Sequence, residues 1–196
     1  MEKLKEHKFP YEYCIGGWYL PDSLTNKLVK HFNQNKDKHQ QGGMYTLGEF
    51  NVNKDIKEST DMHISRFDAT PPIFEYRQAL SQIIQLYEEK YPILKNFGAY
   101  NVCEDFNFQR YKAGGGFKIW HCERHSTHHD KRLLVFCTYL NTVKDGGTEF
   151  QYLRTTVPAV KGLTVLFPVE FTHTHRSQIA KKQKTIITGW LGFDEV

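Results

Sequence analysis

From about residue 99 onward the chain is cut into short runs of β-forming residues by glycine turns, and this rhythm excludes most folds. Asn107 to Lys112 alternates up to Gly114-Gly115-Gly116, and Phe117 to Trp120 follows. Leu133 to Leu140 is a nearly continuous apolar run rich in β formers. Asp145-Gly146-Gly147 reads as a turn before Thr148 to Leu153, and Lys161-Gly162 as another before Leu163 to Phe167. Lys184 to Leu191 closes the series. Runs this short, with turn signals about every ten residues, predict a sandwich or barrel of the jelly-roll kind. An aromatic share of 14% suits such a β-rich core.

The first hundred residues follow a different pattern. Leu24, Leu28, Val29 and Phe32 behind Pro21-Asp22-Ser23 predict a capped amphipathic helix over about residues 22–34. Asn33 to Gly43 is polar and reads as a surface loop. Pro71-Pro72 opens a second helix, marked by Tyr76, Leu80, Ile83, Ile84, Tyr87 and Tyr91 at helical spacing and stopped by Pro92. The expectation is one α+β domain over 1–196, in which a mixed helical region, 1–98, supports a jelly-roll core, 99–196.

Net charge is +4, with basic and acidic residues interspersed, so a nucleic-acid partner is not indicated. No run approaches the roughly 20 apolar residues of a membrane helix. The charged start, Met1-Glu2-Lys3-Leu4-Lys5-Glu6, does not read as a secretory signal. Cys14, Cys103, Cys122 and Cys137 show no paired spacing, and reduced thiols in a cytoplasmic protein are expected.

Six of the ten histidines lie between residues 121 and 175. Residues i and i+2 of a strand share a face, so His121 and Glu123 can offer an imidazole and a carboxylate to one point. A further imidazole from His173 or His175 would complete two histidines and a carboxylate, the set that holds non-haem Fe(II) and leaves three positions open. Zinc or nickel on the same cluster is the alternative, and a hydrogen-bonded surface feature the plainer one. Lys184, Ile186, Thr188 and Trp190 share a face of the last strand. A lysine aimed into a barrel mouth needs an anionic partner, which a dicarboxylic cosubstrate would supply; otherwise Lys184 ends a solvated basic loop. His125, His128 and His129 read as a solvated polar loop, with part of a substrate lid as the functional alternative, and Cys122 should point away from a metal held by its neighbours.

The stretch from Phe108 to Phe193 resembles the 2-oxoglutarate- and Fe(II)-dependent oxygenases of the prolyl 4-hydroxylase type, most of all the small bacterial and phage members. The matching pieces are Gln109-Arg110-Tyr111-Lys112-Ala113-Gly114-Gly115, His121-Cys122-Glu123, Tyr139-Leu140-Asn141, Gly146-Gly147-Thr148-Glu149-Phe150, Lys161-Gly162, Leu166-Phe167-Pro168, Thr172-His173-Thr174-His175-Arg176, and Lys184 with Gly189-Trp190. Lys57-Glu58-Ser59-Thr60-Asp61 matches more weakly. The resemblance implies a double-stranded β-helix with flanking N-terminal helices. It implies iron held by His121, Glu123 and a distal histidine, with 2-oxoglutarate on the iron and its far carboxylate on Lys184. Tyr111 and Thr188 would assist by hydrogen bonding, and Arg110, Glu149 and Trp190 would line the substrate pocket. Two departures stand out. Glu123 occupies the place where most of the family has Asp, and the basic residue falls nine positions after His175 and eleven after His173, where ten is usual. The step His175-Arg176 looks more like the family's ligand step, so His175 is favoured and His173 becomes its neighbour.

The expected activity is hydroxylation of an unactivated C–H bond with Fe(II), 2-oxoglutarate and O2, and with ascorbate as an accessory. By family analogy the substrate is a prolyl, other peptidyl or free amino-acid residue. A non-catalytic metal-binding jelly roll and a virion or assembly protein are the contrasting readings. A bacterial or phage-infected host cytosol is the expected location.

Overall fold

The computed structural model describes residues 3–46 and 49–193; Met1 and Glu2 of the charged start lie outside the described residues. The core strands are β1 (Gly16–Tyr19), β2 (Thr60–Ile64), β3 (Phe106–Tyr111), β4 (Arg132–Tyr139), β5 (Val143–Phe150), β6 (Thr155–Ala159), β7 (Leu163–Pro168), β8 (His175–Ser177) and β9 (Lys184–Phe193). The helices are α1 (Asp22–Gln34) and α2 (Pro71–Lys90). The larger sheet runs β1-β7-β4-β9-β3-β2, with Lys5–Glu6 and Gln40–Gln41 at its edges and Tyr100–Val102 paired to β9. The smaller sheet runs β6-β5-β8, and a hairpin pairs Met44–Thr46 with Glu49–Asn51. The pairings are antiparallel. Two such sheets with helices packed outside one of them form a double-stranded β-helix.

Strand alternation explains how the two layers of core arise from one sheet. On β3, Phe106 and Phe108 are fully buried toward the helices, where Leu28, Phe32, Tyr76 and Ile83 meet them. Tyr111, on the opposite face, joins the core between the sheets. On β4, Leu134 and Phe136 join the helical layer, while Val135, Cys137 and Tyr139 join Phe150, Val165 and Phe167 between the sheets. The apolar run at 133–140 is therefore continuous because both of its faces are covered. Thr138 is buried in that run, and its hydroxyl is satisfied by Tyr76 Oη and Thr164 Oγ1, each at 2.8 Å. On β9, Gly189 lets β4 and β3 close over it. A Cβ there would stand 2.4 Å from Phe136 Cζ and 2.5 Å from Phe106 Cβ.

Several local expectations are corrected. Phe117 to Trp120 is not a strand, because only the single bridge Lys57–Phe117 pairs it. Asp145-Gly146-Gly147 does not end a strand. It lies inside β5, where the pairing with β6 shifts register between Val143 and Thr148 and Asp145 has φ 55°. The segment after α1 is not all loop, since Gln40–Gln41 pairs with β2. No side chain caps α1; Thr25 Oγ1 donates back to the Pro21 carbonyl at 3.1 Å. From the first hundred residues, β1 and β2 also belong to the main sheet.

Candidate active site

The inward faces of β3, β4 and β9, with β8 opposite, enclose a cavity of about 230 Å³ lined by Tyr111, Glu123, His175, Ser177, Thr188 and Trp190. His121 and His175 are brought together by a reciprocal backbone bridge, with His121 N donating to the His175 carbonyl at 3.0 Å and His175 N to the His121 carbonyl at 2.8 Å. Their ring centroids are 4.4 Å apart. Glu123 N donates to the Val169 carbonyl at 3.1 Å, which turns the carboxylate toward the two rings. Glu123 Oε1 lies 3.5 Å from His121 Nε2 and 3.4 Å from His175 Nε2. Among the described residues this is the one group of three potential ligands whose donor atoms lie within 4.8 Å of one another.

The orientation of each ring is fixed from behind. His121 Nδ1 lies 3.0 Å from the Ile119 carbonyl and His175 Nδ1 2.9 Å from the His173 carbonyl. Carbonyls only accept, so both Nδ1 atoms carry a proton and both Nε2 atoms face Glu123. Burial lowers the pKa of His175, which favours the neutral imidazole that metal ligation requires, while Glu123 opposes the shift. Burial opposes ionisation of Glu123, but the two imidazoles outweigh it and hold the carboxyl well below its usual range. Two imidazoles and one carboxylate match the donor set of a ferrous site.

His173 is not part of this group and does not share a strand face with His175. It ends a 3₁₀ turn, Phe171–His173, ahead of β8. Its Nε2 is 2.8 Å from the Tyr13 carbonyl and its Nδ1 3.0 Å from Thr172 Oγ1, so neither nitrogen faces the cluster. Its contribution is the carbonyl that orients His175.

Lys184 is 2% exposed and does not end a solvated loop. Its ammonium donates to Ser177 Oγ at 3.3 Å and stands 5.3 Å from the Tyr111 ring centroid. No carboxylate among the described residues pairs with it. Burial pushes its pKa down to about 8. A buried cation with one neutral partner is costly, and a dicarboxylate entering through Ser177 would satisfy it. Ser177 accepts from Lys184, so its own hydroxyl proton is available to an anion. Sequence reasoning missed Ser177. Tyr111 and Thr188 flank the same space, but their hydroxyls already donate, to Gln109 Oε1 at 2.6 Å and to the Phe136 carbonyl at 3.2 Å.

The second oxygen of Glu123 is also held. Trp190 Nε1 donates to Oε2 at 2.9 Å, and Arg132 Nη1 lies 3.8 Å from it while donating to the Glu123 carbonyl at 2.9 Å. Arg132 stacks 3.7 Å from the Trp190 ring centroid and binds Glu104 through Nε at 2.6 Å and Nη2 at 2.7 Å. Arg132 and Glu104 were also missed, although an arginine opening a doubly covered strand is a readable signal.

The remaining expected residues are placed differently. Arg110 does not line the cavity. Alternation turns it outward, where it stacks on Phe32 and donates to Asn33 Oδ1 at 2.6 Å. Glu149 reaches the site only through Arg176, whose Nε donates to Glu149 Oε2 at 2.8 Å; Arg176 itself lines the cavity. Cys122 lines the cavity too, because residues 121–123 are not a regular strand. His125 and His129 stand at its wall with ring centroids 4.9 Å apart, so that loop is not merely solvated. Lys57 and Asp61 form a buried ion pair of 2.6 Å in the far wall, with Ser59 Oγ donating to Asp61 Oδ1 at 2.7 Å.

Residues 106–192 match the family model of the 2OG-Fe(II) oxygenase superfamily. No curated protein matches the chain in sequence. Among solved structures, a Pseudomonas putida prolyl-4-hydroxylase is similar at 18% identity and TM-score 0.68, over 93% of this chain and 94% of that one. A viral collagen prolyl hydroxylase from Paramecium bursaria Chlorella virus-1, solved as a 2OG complex, is similar at 16% identity and TM-score 0.64, over 98% and 97%. A Trichoplax adhaerens prolyl hydroxylase, solved with a peptide fragment of the hypoxia inducible factor oxygen degradation domain, is similar at 15% identity and TM-score 0.71, over 92% and 84%. The matched segment carries the bridge-linked histidines, the glutamate and the buried lysine on one fold, and over these residues the chain is similar to the 2OG-Fe(II) oxygenase superfamily.

Proposed function

We propose that His121, Glu123 and His175 hold Fe(II), that Lys184 and Ser177 receive the far carboxylate of 2-oxoglutarate, and that the enzyme hydroxylates a C–H bond of a peptidyl residue, proline first among them. The observation that carries this reading is the pairing of a three-ligand cluster with a buried, otherwise unpaired Lys184 in one fold. Bound together, iron and 2-oxoglutarate supply the O2-derived oxidant; the chain's own residues do the rest. The carbonyls of Ile119 and His173 fix the two imidazoles. Lys184 and Ser177 orient the cosubstrate by charge and hydrogen bond, with Tyr111 and Thr188 beside them. Phe117, stacked 3.9 Å from the His121 ring centroid, and Phe167, 5.0 Å from that of His175, keep water from the ligands. Arg176 stands in the wall where a substrate would lie.

A peptide substrate is supported by the peptide bound to the Trichoplax relative and by the prolyl hydroxylases named above. Ascorbate is proposed as an accessory reductant. No described helix is long and apolar enough to cross a membrane. The cytosol is the proposed compartment, because four unpaired thiols suit a reducing one. The division into a supporting region, 1–98, and a core, 99–196, belongs to the same proposal. No observation favours a non-catalytic metal site or an assembly protein.

The test is anaerobic titration of the Fe(II) protein with 2-oxoglutarate, followed in the metal-to-ligand charge-transfer region. A band that needs both additions and is lost in Glu123→Ala and Lys184→Ala supports the reading. Succinate release with proline-containing peptides then tests the substrate. A wild-type protein that shows no band and retains zinc against iron refutes it.

A further inference from the structure

The ligand carboxylate is a glutamate, one methylene longer than an aspartate, and a flexible arm can present either one or both oxygens to a metal. Here the two oxygens have different environments. Oε1 faces Nε2 of His121 and of His175, at 3.5 and 3.4 Å. Oε2 faces away, receives the indole N–H of Trp190 at 2.9 Å and stands 3.8 Å from Arg132 Nη1. An indole N–H is a donor only, so it holds an acceptor in place and cannot turn to serve another role. Trp190 is itself fixed. The Arg132 guanidinium lies 3.7 Å from its ring centroid, anchored at both ends by Glu104 and by the Glu123 backbone carbonyl.

We infer that the stack Glu104–Arg132–Trp190 is a positioning device that reserves Oε2 of Glu123, so that the glutamate offers the metal a single oxygen. This inference rests on the oxygenase reading. Two histidines and one carboxylate oxygen leave three positions, two for a chelating 2-oxoglutarate and one for O2. A glutamate bound through both oxygens would occupy one of the three and compete with the cosubstrate. Trp190 thus acts through Glu123 rather than on the substrate, and the stack compensates for the longer ligand arm.

The experiment uses the Co(II)-loaded protein without O2, read by its visible ligand-field spectrum and by 2-oxoglutarate affinity. Trp190→Phe keeps a ring beneath Arg132 but removes the N–H. The freed oxygen then joins the metal. The spectrum of the cosubstrate-free Co(II) protein shifts, and 2-oxoglutarate binds about tenfold or more weakly, within the 10–100-fold range of outer-shell substitutions. Trp190→benzothienylalanine, which replaces the N–H by sulfur at nearly constant shape, gives the same result if Trp190→Phe fails to fold. In a Glu123→Asp background the shorter arm no longer reaches the indole, so Trp190→Phe changes 2-oxoglutarate affinity less than about twofold.

An unchanged Co(II) spectrum and unchanged affinity in Trp190→Phe would overturn the inference. So would an equal loss in both backgrounds, which would make Trp190 a wall of the cosubstrate site instead. A wild-type protein that binds Co(II) but no 2-oxoglutarate would overturn the oxygenase reading itself, and the inference with it.

Discussion

Replacing Lys184 by methionine should stabilise the protein while disabling it. The ammonium is 2% exposed, its hydrogen-bond partner is a hydroxyl, and burial lowers its pKa to about 8 from 10.5. At 1.36 kcal/mol per unit, keeping this lysine charged in the folded chain costs about 3 kcal/mol near neutral pH. Methionine has a similar length and no charge, so Lys184→Met recovers roughly 1–3 kcal/mol, allowing for the lost bond to Ser177. For a chain of this size that raises the Tm of the cosubstrate-free protein by roughly 2–10 °C. The same change removes the cation proposed to receive the far carboxylate, and loss of a buried charged partner costs about 2–5 kcal/mol of binding, so 2-oxoglutarate affinity falls about 30-fold or more.

The pH dependence has a definite sign. The folded pKa lies below the unfolded one, so the unfolded chain binds more protons between about pH 8 and 10.5, and Lys184 becomes less destabilising as pH rises through that window. A bound dicarboxylate raises the lysine pKa again. Cosubstrate binding therefore takes up close to one proton above pH 8, almost none near pH 6.5, and weakens as pH rises. Thermal melts of the two proteins, and calorimetric titrations in buffers of different ionisation enthalpy, measure both effects. A Lys184→Met protein that melts below the wild type, or binds 2-oxoglutarate within a few-fold of it, would refute the reasoning.

His175→Gln should abolish Fe(II) binding measured by equilibrium dialysis. His173→Gln should retain it within about 100-fold, because the His173 carbonyl, not its ring, contacts the cluster. Asp61→Asn leaves the buried Lys57 ammonium without its counter-charge and should cost about 3–5 kcal/mol in urea unfolding, whereas an unchanged midpoint would show that Lys57 finds another partner. Gly189→Ala places a methyl carbon 2.4 Å from Phe136 and 2.5 Å from Phe106, so β9 must move away from β4 and β3. A loss of about 1–3 kcal/mol with a lower Tm is expected.

Much of the architecture is local information. The 3.6-residue period of α2 and the two-residue period of β3, β4 and β9 are set by each segment's own side chains, and the structure has these elements near the expected bounds. The failures were of another kind. Phe117 to Trp120 has strand-forming residues but no neighbour along its length, and Asp145-Gly146-Gly147 has turn residues but is carried through as a bulge by its partner β6. Pairing decides both, and pairing is not written in either segment alone.

The same division holds at the site. Spacing by itself made His121 and Glu123 neighbours on one side of the chain, and residue type made Lys184 a charge in need of a partner. Only the tertiary structure sets His175, and not His173, beside His121 and Glu123, because that depends on which backbone bridges to His121 across more than fifty residues. It also turned Arg110 outward, brought Ser177 to Lys184, and set Trp190 against Glu123 through Arg132 and Glu104. Side-chain type and alternation act over a few residues and can be read along the chain. The register of distant strands is a property of the whole packed sheet, and here it decides which chemical groups meet.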